Sequence, residues 1–343
     1  MPESVAEIAM ELDKAGPRPE SGDSFNEIHQ KLVFFRKSHY DQYVPTIGAD
    51  YADFERRLLR WLCNTDNDEE RRTLFELAPR LTFFTREDFA KLHQAALAGP
   101  ITRWIVDQMG LSFDDPRFDE VLSDEIQNHT WYCSITDSMQ IADFHHANNL
   151  GGIDFRPDWR SLAEFCDPAK IQNFMANRQN ARREPTPVRR IVILEDFIGS
   201  GMQMEMGKGS VAFAAATFPN VRILLVPLVI CPLGAKIARE LSGAHTNLEF
   251  DPVIELRDSD LVTPGSSFAH HSLGDRLQKL VANSYSAVVG DGAAHPRPYS
   301  AFGLANTGAQ LILYSNAPAN TIALIHHQSN TWNALFPRSA RIR

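Results

Sequence analysis

The sequence lacks the features that would place the protein at a membrane or outside the cell. No run of 18 uncharged apolar residues occurs in its 343 residues, so no membrane-spanning helix is predicted. Its first segment, MPESVAEIAMELDKAG, carries acidic residues where a signal peptide needs a basic start and a continuous apolar run. The four cysteines include no C-x-x-C pair, which is typical of reduced thiols. We therefore expect a cytoplasmic protein with no membrane partner.

An excess of positive charge is missing as well. The chain has 34 Lys and Arg against 43 Asp and Glu, a net charge of −9. A surface that binds nucleic acid through charge alone needs the opposite sign, so there is no strong case for a nucleic-acid partner. A hydrophobic content of 43% is typical of a globular protein that buries a large core.

Residues 1–125 carry the periodicity of helices. In YADFERRLLRWLCN the apolar side chains of Phe54, Leu58, Trp61 and Leu62 recur on one helical face. No strand-like alternation interrupts this part of the sequence. We predict a helical N-terminal region over residues 1–125, which packs on the remaining chain or binds a protein partner.

Residues 126–343 alternate short apolar runs with helical segments. The runs are TWYCSI (130–135), RIVILED (190–196), VRILLVPLVIC (221–231), LEFDPVIEL (248–256) and AQLILYS (309–315). Strands that are apolar on nearly every residue and are joined by helices indicate a parallel sheet covered on both faces. The predicted fold class is therefore α/β, with a parallel, Rossmann-like sheet in a domain over residues 126–343.

The stretch RIVILEDFIGSGMQ, residues 190–203, carries the strongest candidate site. Ligands bind beyond the carboxyl ends of the strands in an open parallel sheet, and Glu195 and Asp196 directly follow the apolar run 191–194. We expect a helix to begin near Met204, where free backbone N–H groups bind phosphate. Gly199 and Gly201 let the backbone approach an anion closely. Carboxylates accept hydrogen bonds from hydroxyl groups, so the stretch predicts a sugar-phosphate site.

IVILEDFIGSGMQ resembles the phosphoribosyl-pyrophosphate motif of type I phosphoribosyltransferases. The resemblance implies that Glu195 and Asp196 are the catalytic pair and bind the ribose 2′- and 3′-hydroxyls. It also implies that the following loop holds the 5′-phosphate through Gly199, Ser200, Gly201, Met202 and Gln203. Met202 and Gln203 depart from the small residue and the Ser or Thr that usually close this motif. The alternative interpretation is that the two carboxylates only cap the strand end or contact solvent there.

A second loop follows the earlier strand TWYCSI. In type I phosphoribosyltransferases such a loop binds pyrophosphate, and the polar residues available here are Ser134, Thr136, Asp137 and Ser138. An ordinary turn or helix N-cap is the alternative. Adjacent parallel strands bring their ends together, so we expect Asp137 and Asp196 to face one cleft, about 10–15 Å apart. Arg156, in DFRPDWRSL, is a candidate for closing over pyrophosphate or a solvated residue.

A narrower resemblance combines ILEDFIGSGMQ, SITDSM and the C-terminal SNAPANTIALIHHQSNTWNALFPR. Together they resemble a phosphoribosyltransferase-like family that is predicted in bacterial conflict and anti-phage systems. The resemblance implies an enzyme that acts at ribose C1 of phosphoribosyl pyrophosphate or of a nucleotide, with Mg²⁺ bridged by the substrate pyrophosphate. The alternative is a non-catalytic sensor that binds the same ligands and signals to a partner.

Other patterns predict less. GMQMEMGKGS has the wrong spacing for a phosphate-binding P-loop, and three His-His pairs lack the spacing of zinc ligands, so no metal-binding residues are assigned. The C-terminal asparagines are Asn316, Asn320, Asn330 and Asn333. Their amides either read the edge of a base or stabilise turns, and we favour turns.

Overall fold

The computed structural model describes residues 2–45, 53–151, 158–165, 167–179, 183–290 and 299–339. The helices are α1 Val5–Ala15, α2 Phe25–Ser38, α3 Phe54–Leu62, α4 Asp68–Leu77, α5 Arg86–Ala96, α6 Thr102–Met109, α7 Phe118–Asp124, α8 Ile141–Ala147, α9 Trp159–Phe165, α10 Pro168–Asn177, α11 Met202–Glu205, α12 Val211–Thr217, α13 Pro232–Ala244, α14 Leu273–Asn283, α15 Tyr285–Val289 and α16 Ala323–His326. The strands are β1 Thr82–Phe84, β2 Thr130–Ser134, β3 Arg190–Ile198, β4 Arg222–Ile230, β5 Leu248–Phe250, β6 Ile254–Glu255 and β7 Leu311–Leu313.

Contacts divide the chain into two compact units, one of residues 1–87 and 258–343 and one of residues 88–257. The first unit therefore joins the N-terminal helices to the C-terminal part of the sequence. The boundary that the sequence predicts between a helical region and an α/β domain, at residues 125 and 126, stays a prediction.

The second unit contains a five-stranded sheet in which every pairing is parallel. Its order is β2-β3-β4-β5. β6 also pairs with β4, nearer the carboxyl end of β4 than β5 does. All nine residues of β3 are buried, as expected for a central parallel strand with helices on both faces. The predicted α/β fold class with a parallel sheet is confirmed.

The N-terminal part of the first unit is helical before residue 80, as predicted, but this unit also contains a small sheet. Helix α2 begins at a capping box, in which the Ser24 hydroxyl accepts from the Glu27 N–H and the Glu27 carboxylate accepts from the Ser24 N–H. The apolar face predicted for α3 is buried. The prediction that no strand interrupts residues 1–125 is wrong, because β1 pairs in parallel with β7.

That pairing also corrects the place of one predicted strand. The run AQLILYS forms β7, which lies outside the five-stranded sheet and pairs with β1 in the first unit. Apolar composition identifies a strand but contains no information about which distant segment completes its hydrogen bonds. Of the helices that the structure describes, none has the length and apolar character required to traverse a bilayer.

Candidate functional site

The acidic pair lies inside β3, not after its end. The strand continues through Phe197 and Ile198, which pair in parallel with Val229 and Ile230 of β4. The prediction that the strand stops at residue 194 is therefore wrong, since two further apolar residues extend it past the carboxylates. Glu195 is 1% exposed and Asp196 is 6% exposed.

The turn after β2 contacts Glu195 directly. β2 lies beside β3 in register, with Ser134 opposite Leu194, so the residues that follow Ser134 reach the acidic pair. The Thr136 N–H donates to Glu195 Oε2 at 3.0 Å, and the Thr136 hydroxyl donates to Glu195 Oε1. The Ser138 hydroxyl lies 3.3 Å from the same oxygen. Glu195 therefore holds the turn in place.

Asp196 shares one of these partners. Its Oδ1 accepts from the Ser138 hydroxyl at 3.1 Å and from the Phe197 N–H at 2.7 Å. Ser138 thus bridges both carboxylates. Asp137, between the two contacting hydroxyl residues, is exposed. The structure brings together the two loops that the sequence predicts at one edge of the sheet, and it does so through Thr136 and Ser138.

Burial changes the protonation of Glu195. Removal from water and the neighbouring Asp196 carboxylate raise the pKa of Glu195 to about 8, although hydrogen bonds from Thr136 and Ser138 favour the charged form. Burial therefore favours the protonated form of the Glu195 side chain. The pair then carries less negative charge than two free carboxylates, which lowers the cost of enclosing it next to an anionic ligand.

The loop after β3 is tight and largely buried. Gly201 has φ +83°, a left-handed conformation that favours glycine. The Ser200 side chain is 2% exposed, and no hydrogen-bond partner for its hydroxyl exists among the described residues. A buried hydroxyl without a partner is costly, so this oxygen is available to a ligand that enters the loop. The Gln203 amide instead turns back to the Phe197 carbonyl oxygen, at 3.5 Å.

A helix begins close to Met204, as expected, but it is short. α11 begins at Met202 and ends at Glu205, and the next helix begins at Val211 after a turn in which Gly207 and Gly209 have positive φ. The first helix is therefore a single turn. A helix this short adds little dipole to a phosphate site, so backbone and side-chain groups of the loop itself have to supply most of any anion contact.

Helix α13 supports the loop from behind, which the sequence analysis did not anticipate. The Cys231 N–H donates to the Ile198 carbonyl oxygen at 2.8 Å. A Cβ added at Gly234 would lie 2.9 Å from the Gly199 carbonyl oxygen and 2.8 Å from Ile198 Cγ2. The signal in the sequence is a glycine early in an otherwise good helix, PLGAKIARELSG, because glycine weakens a helix unless close packing requires it.

Other candidates from the sequence lie elsewhere. Arg156 is outside the described residues. No group of three or more His, Cys, Asp or Glu side chains that could hold a metal ion occurs in the described ranges. Three of the C-terminal amides bond within the first unit to segments distant in the sequence: Asn316 donates to the Ser339 hydroxyl, Asn320 to the Thr307 hydroxyl and Asn333 to the Asn64 side chain. The interpretation of these amides as turn residues stays a prediction.

One of three comparisons with known proteins found a match, and it includes the acidic pair and both loops. The family model PRTase-CE matches residues 58–338, a range that includes β2, β3, both loops and the C-terminal segment. A search of curated proteins and a search of solved structures each returned no match. Since the family model spans well over half of the sequence, the chain belongs to the phosphoribosyltransferase-like PRTase-CE family.

Proposed function

We propose that the protein binds a phosphoribosyl compound at the acidic pair of β3 and acts at its ribose C1. The observation that carries this proposal is the direct hydrogen bonding between the Glu195–Asp196 pair and the turn after β2, in a member of the PRTase-CE family. The two loops that would bind the 5′-phosphate and the pyrophosphate of such a sugar are thereby at one edge of the parallel sheet. The ligand is phosphoribosyl pyrophosphate or a nucleotide.

Each part of the site has a task in this proposal. Glu195 and Asp196 accept hydrogen bonds from the ribose hydroxyls, and the loop 199–203 holds the 5′-phosphate, with the free Ser200 hydroxyl as one donor. The loop 134–138 lies toward the pyrophosphate. Mg²⁺ commonly binds through one or two carboxylates and substrate phosphates, and Asp196 together with ligand oxygens fits that donor set. When bound, the ion would neutralise charge on the leaving pyrophosphate.

The proposed reaction breaks the bond from C1 to pyrophosphate, or from C1 to the base of a nucleotide. The leaving group takes the electron pair, positive charge develops on the ribose ring, and a nucleophile then bonds to C1. The carboxyl groups hold the ring by its hydroxyls while this charge develops, so they contribute orientation and favourable electrostatics. They do not form a bond to the sugar.

Turnover with purified protein tests the proposal. The protein is incubated with Mg²⁺ and either phosphoribosyl pyrophosphate plus a set of bases or single nucleotides, and free base, pyrophosphate and phosphoribosylated product are measured. We expect turnover that Asp196→Asn reduces at least about tenfold, as for loss of a charged hydrogen bond. The matched control is Asp119→Asn, on the exposed face of α7. Equal rates in both variants would contradict the assignment.

Binding without turnover would support the alternative, a sensor of the same ligands. Gln203 favours the sensor function, because it replaces the hydroxyl residue that usually closes this motif. Its amide bonds to the Phe197 carbonyl oxygen instead. Calorimetry with each ligand, run beside the turnover assay, separates the two functions. A role as a defence effector in the cytoplasm, and a protein partner bound through the N-terminal helices, also remain proposals. A metabolite profile after induction tests the first of these.

A further inference from the structure

Two hydroxyl groups of the chain contact the acidic pair as a sugar would. Thr136 Oγ1 and Ser138 Oγ are 2.5 Å apart. The first donates to Glu195 Oε1, and the second lies within hydrogen-bonding distance of Glu195 Oε1 and Asp196 Oδ1. Neighbouring hydroxyls at hydrogen-bonding separation, both directed at a carboxyl pair, are the arrangement of the cis-2′,3′-diol of a ribose ring.

We infer that Thr136 and Ser138 occupy the ribose-diol position in the ligand-free protein, and that a sugar must carry both hydroxyls to displace them. The inference rests on the proposed function and deepens it. It identifies the ligand class as 5-phosphorylated ribose compounds and excludes their 2-deoxy counterparts. It also assigns the turn 135–138 a second role, as a cover that opens when the sugar enters.

The burial of the pair is the physical reason for this cover. Glu195 and Asp196 are almost inaccessible to water, and buried acceptors without donors are costly. In the absence of a ligand, the two hydroxyls of the turn donate to these acceptors, together with the Thr136 N–H and the Phe197 N–H. A ribose replaces both hydroxyl donors, whereas a 2-deoxyribose replaces only one, so the buried pair loses one hydrogen bond. A site of this kind discriminates strongly against the analogue that lacks the hydroxyl.

The cover lies at the edge of its sheet. Thr136 and Ser138 are only half-buried, and both lie in the turn that separates β2 from α8. β2 is the end strand in the order of its sheet, so the turn is not held between two neighbouring strands. In the conformation seen here the hydroxyls are directed at carboxyl groups, and pyrophosphate would reach them only after the turn has left the pair.

Calorimetry with ribose 5-phosphate and 2-deoxyribose 5-phosphate tests the inference. For the native protein we expect the deoxy sugar to bind at least about tenfold more weakly. Ser138→Ala removes one competing donor, so its affinity for ribose 5-phosphate should rise about tenfold. Thr136→Val should act in the same direction, and Thr136→Ser, which restores a hydroxyl, should behave like the native protein. Ser123→Ala, an exposed serine of α7, is the matched control.

The outcomes separate this inference from the proposed function. If ribose 5-phosphate binds the native protein and Ser138→Ala equally well, or binds the variant more weakly, the inference is overturned and the proposed function stands. Equal affinity for the two sugars also overturns it. If neither sugar binds the native protein or any variant, the inference is overturned, and the turnover assay with phosphoribosyl pyrophosphate and nucleotides decides the proposed function separately. Should Thr136→Val not fold, Ser138→Ala and the deoxy sugar still decide the question.

Discussion

Glu195 combines two properties that a strand residue rarely has together. It is fully enclosed, and it accepts hydrogen bonds from both the backbone and the hydroxyl of Thr136. Enclosure favours its neutral form, whereas these donors favour the charged form, and enclosure together with Asp196 dominates. The side chain therefore keeps a proton in the folded protein at pH values where the unfolded chain has lost it.

This difference predicts how stability depends on pH. The pKa of Glu195 is about 8 in the folded protein against a normal value of 4.5, so the stability it contributes is fully present below pH 4.5 and is lost as the pH rises to 8. Relative to Glu195→Gln, the free energy of unfolding of the native protein should fall by up to about 1.4 kcal/mol per pH unit in that window.

Urea denaturation of both proteins at pH 5, 6, 7 and 8 measures this difference. A gap in the free energy of unfolding that stays constant across those pH values would show that Glu195 titrates normally. Glu205→Gln, an exposed carboxylate on α11, is the control and should leave the pH dependence of the native protein unchanged.

At the scale of elements, the loop after β3 depends on the helix behind it. α13 contains two glycines in different surroundings. A Cβ at Gly234 would approach Ile198 and the Gly199 backbone closer than 3.0 Å, whereas a Cβ at Gly243 would meet nothing within 4 Å. One glycine is therefore required by packing against the candidate phosphate loop, and the other is a position where the helix tolerates a side chain.

Substitution of the two glycines should have opposite effects. Gly234→Ala overpacks the loop and should lower the free energy of unfolding by about 1–3 kcal/mol. It should also weaken the binding of ribose 5-phosphate, because the loop must shift. Gly243→Ala should raise stability by up to about 1 kcal/mol and leave binding unchanged. Chemical denaturation and calorimetry of both variants measure this, and equal effects of the two substitutions would contradict the assigned packing.

At the scale of the whole molecule, an aromatic cluster in the first unit joins the N-terminal helices to the C-terminal segment. The ring of Phe336 lies 5.2 Å from Tyr43, 5.9 Å from Phe54 and 5.7 Å from Phe83, measured between centroids. The buried Arg57 guanidinium lies 5.5 Å from the same ring, and its Nε donates to the Leu335 carbonyl oxygen at 3.0 Å. The C-terminal segment thus completes the core of the N-terminal helices.

Removal of this ring should loosen the first unit selectively. Phe336→Ala should lower its free energy of unfolding by about 3–5 kcal/mol, because it leaves a cavity among packed rings, and Phe336→Leu should cost less. Hydrogen exchange followed by mass spectrometry should show faster exchange in residues 54–84 and 311–336, while β3 and β4 keep their protection. Equal loss of protection in β3 would show that the two units unfold together.

Much of the fold could be predicted because it depends on local patterns. A run such as RIVIL is apolar on every residue, and only a strand covered on both faces buries all of those side chains. The helical faces of the first unit follow from periodicity in the same way. The place of β7 could not be predicted, since its partner β1 is more than 200 residues away in the sequence and pairing is decided by the whole chain.

The candidate chemistry can be read from the order of residues along the chain: an acidic pair, a glycine-containing loop and a polar turn after an earlier strand, in an order typical of the family. The hydrogen bonding and the pKa values of these groups depend on how the chain folds. Register between β2 and β3 places Thr136 and Ser138 on the carboxyl groups, and burial by surrounding elements raises the pKa of Glu195. Hydrogen bonding and desolvation depend on neighbours that are brought together in space, and for Thr136 and Glu195 those neighbours are 59 residues apart in the chain.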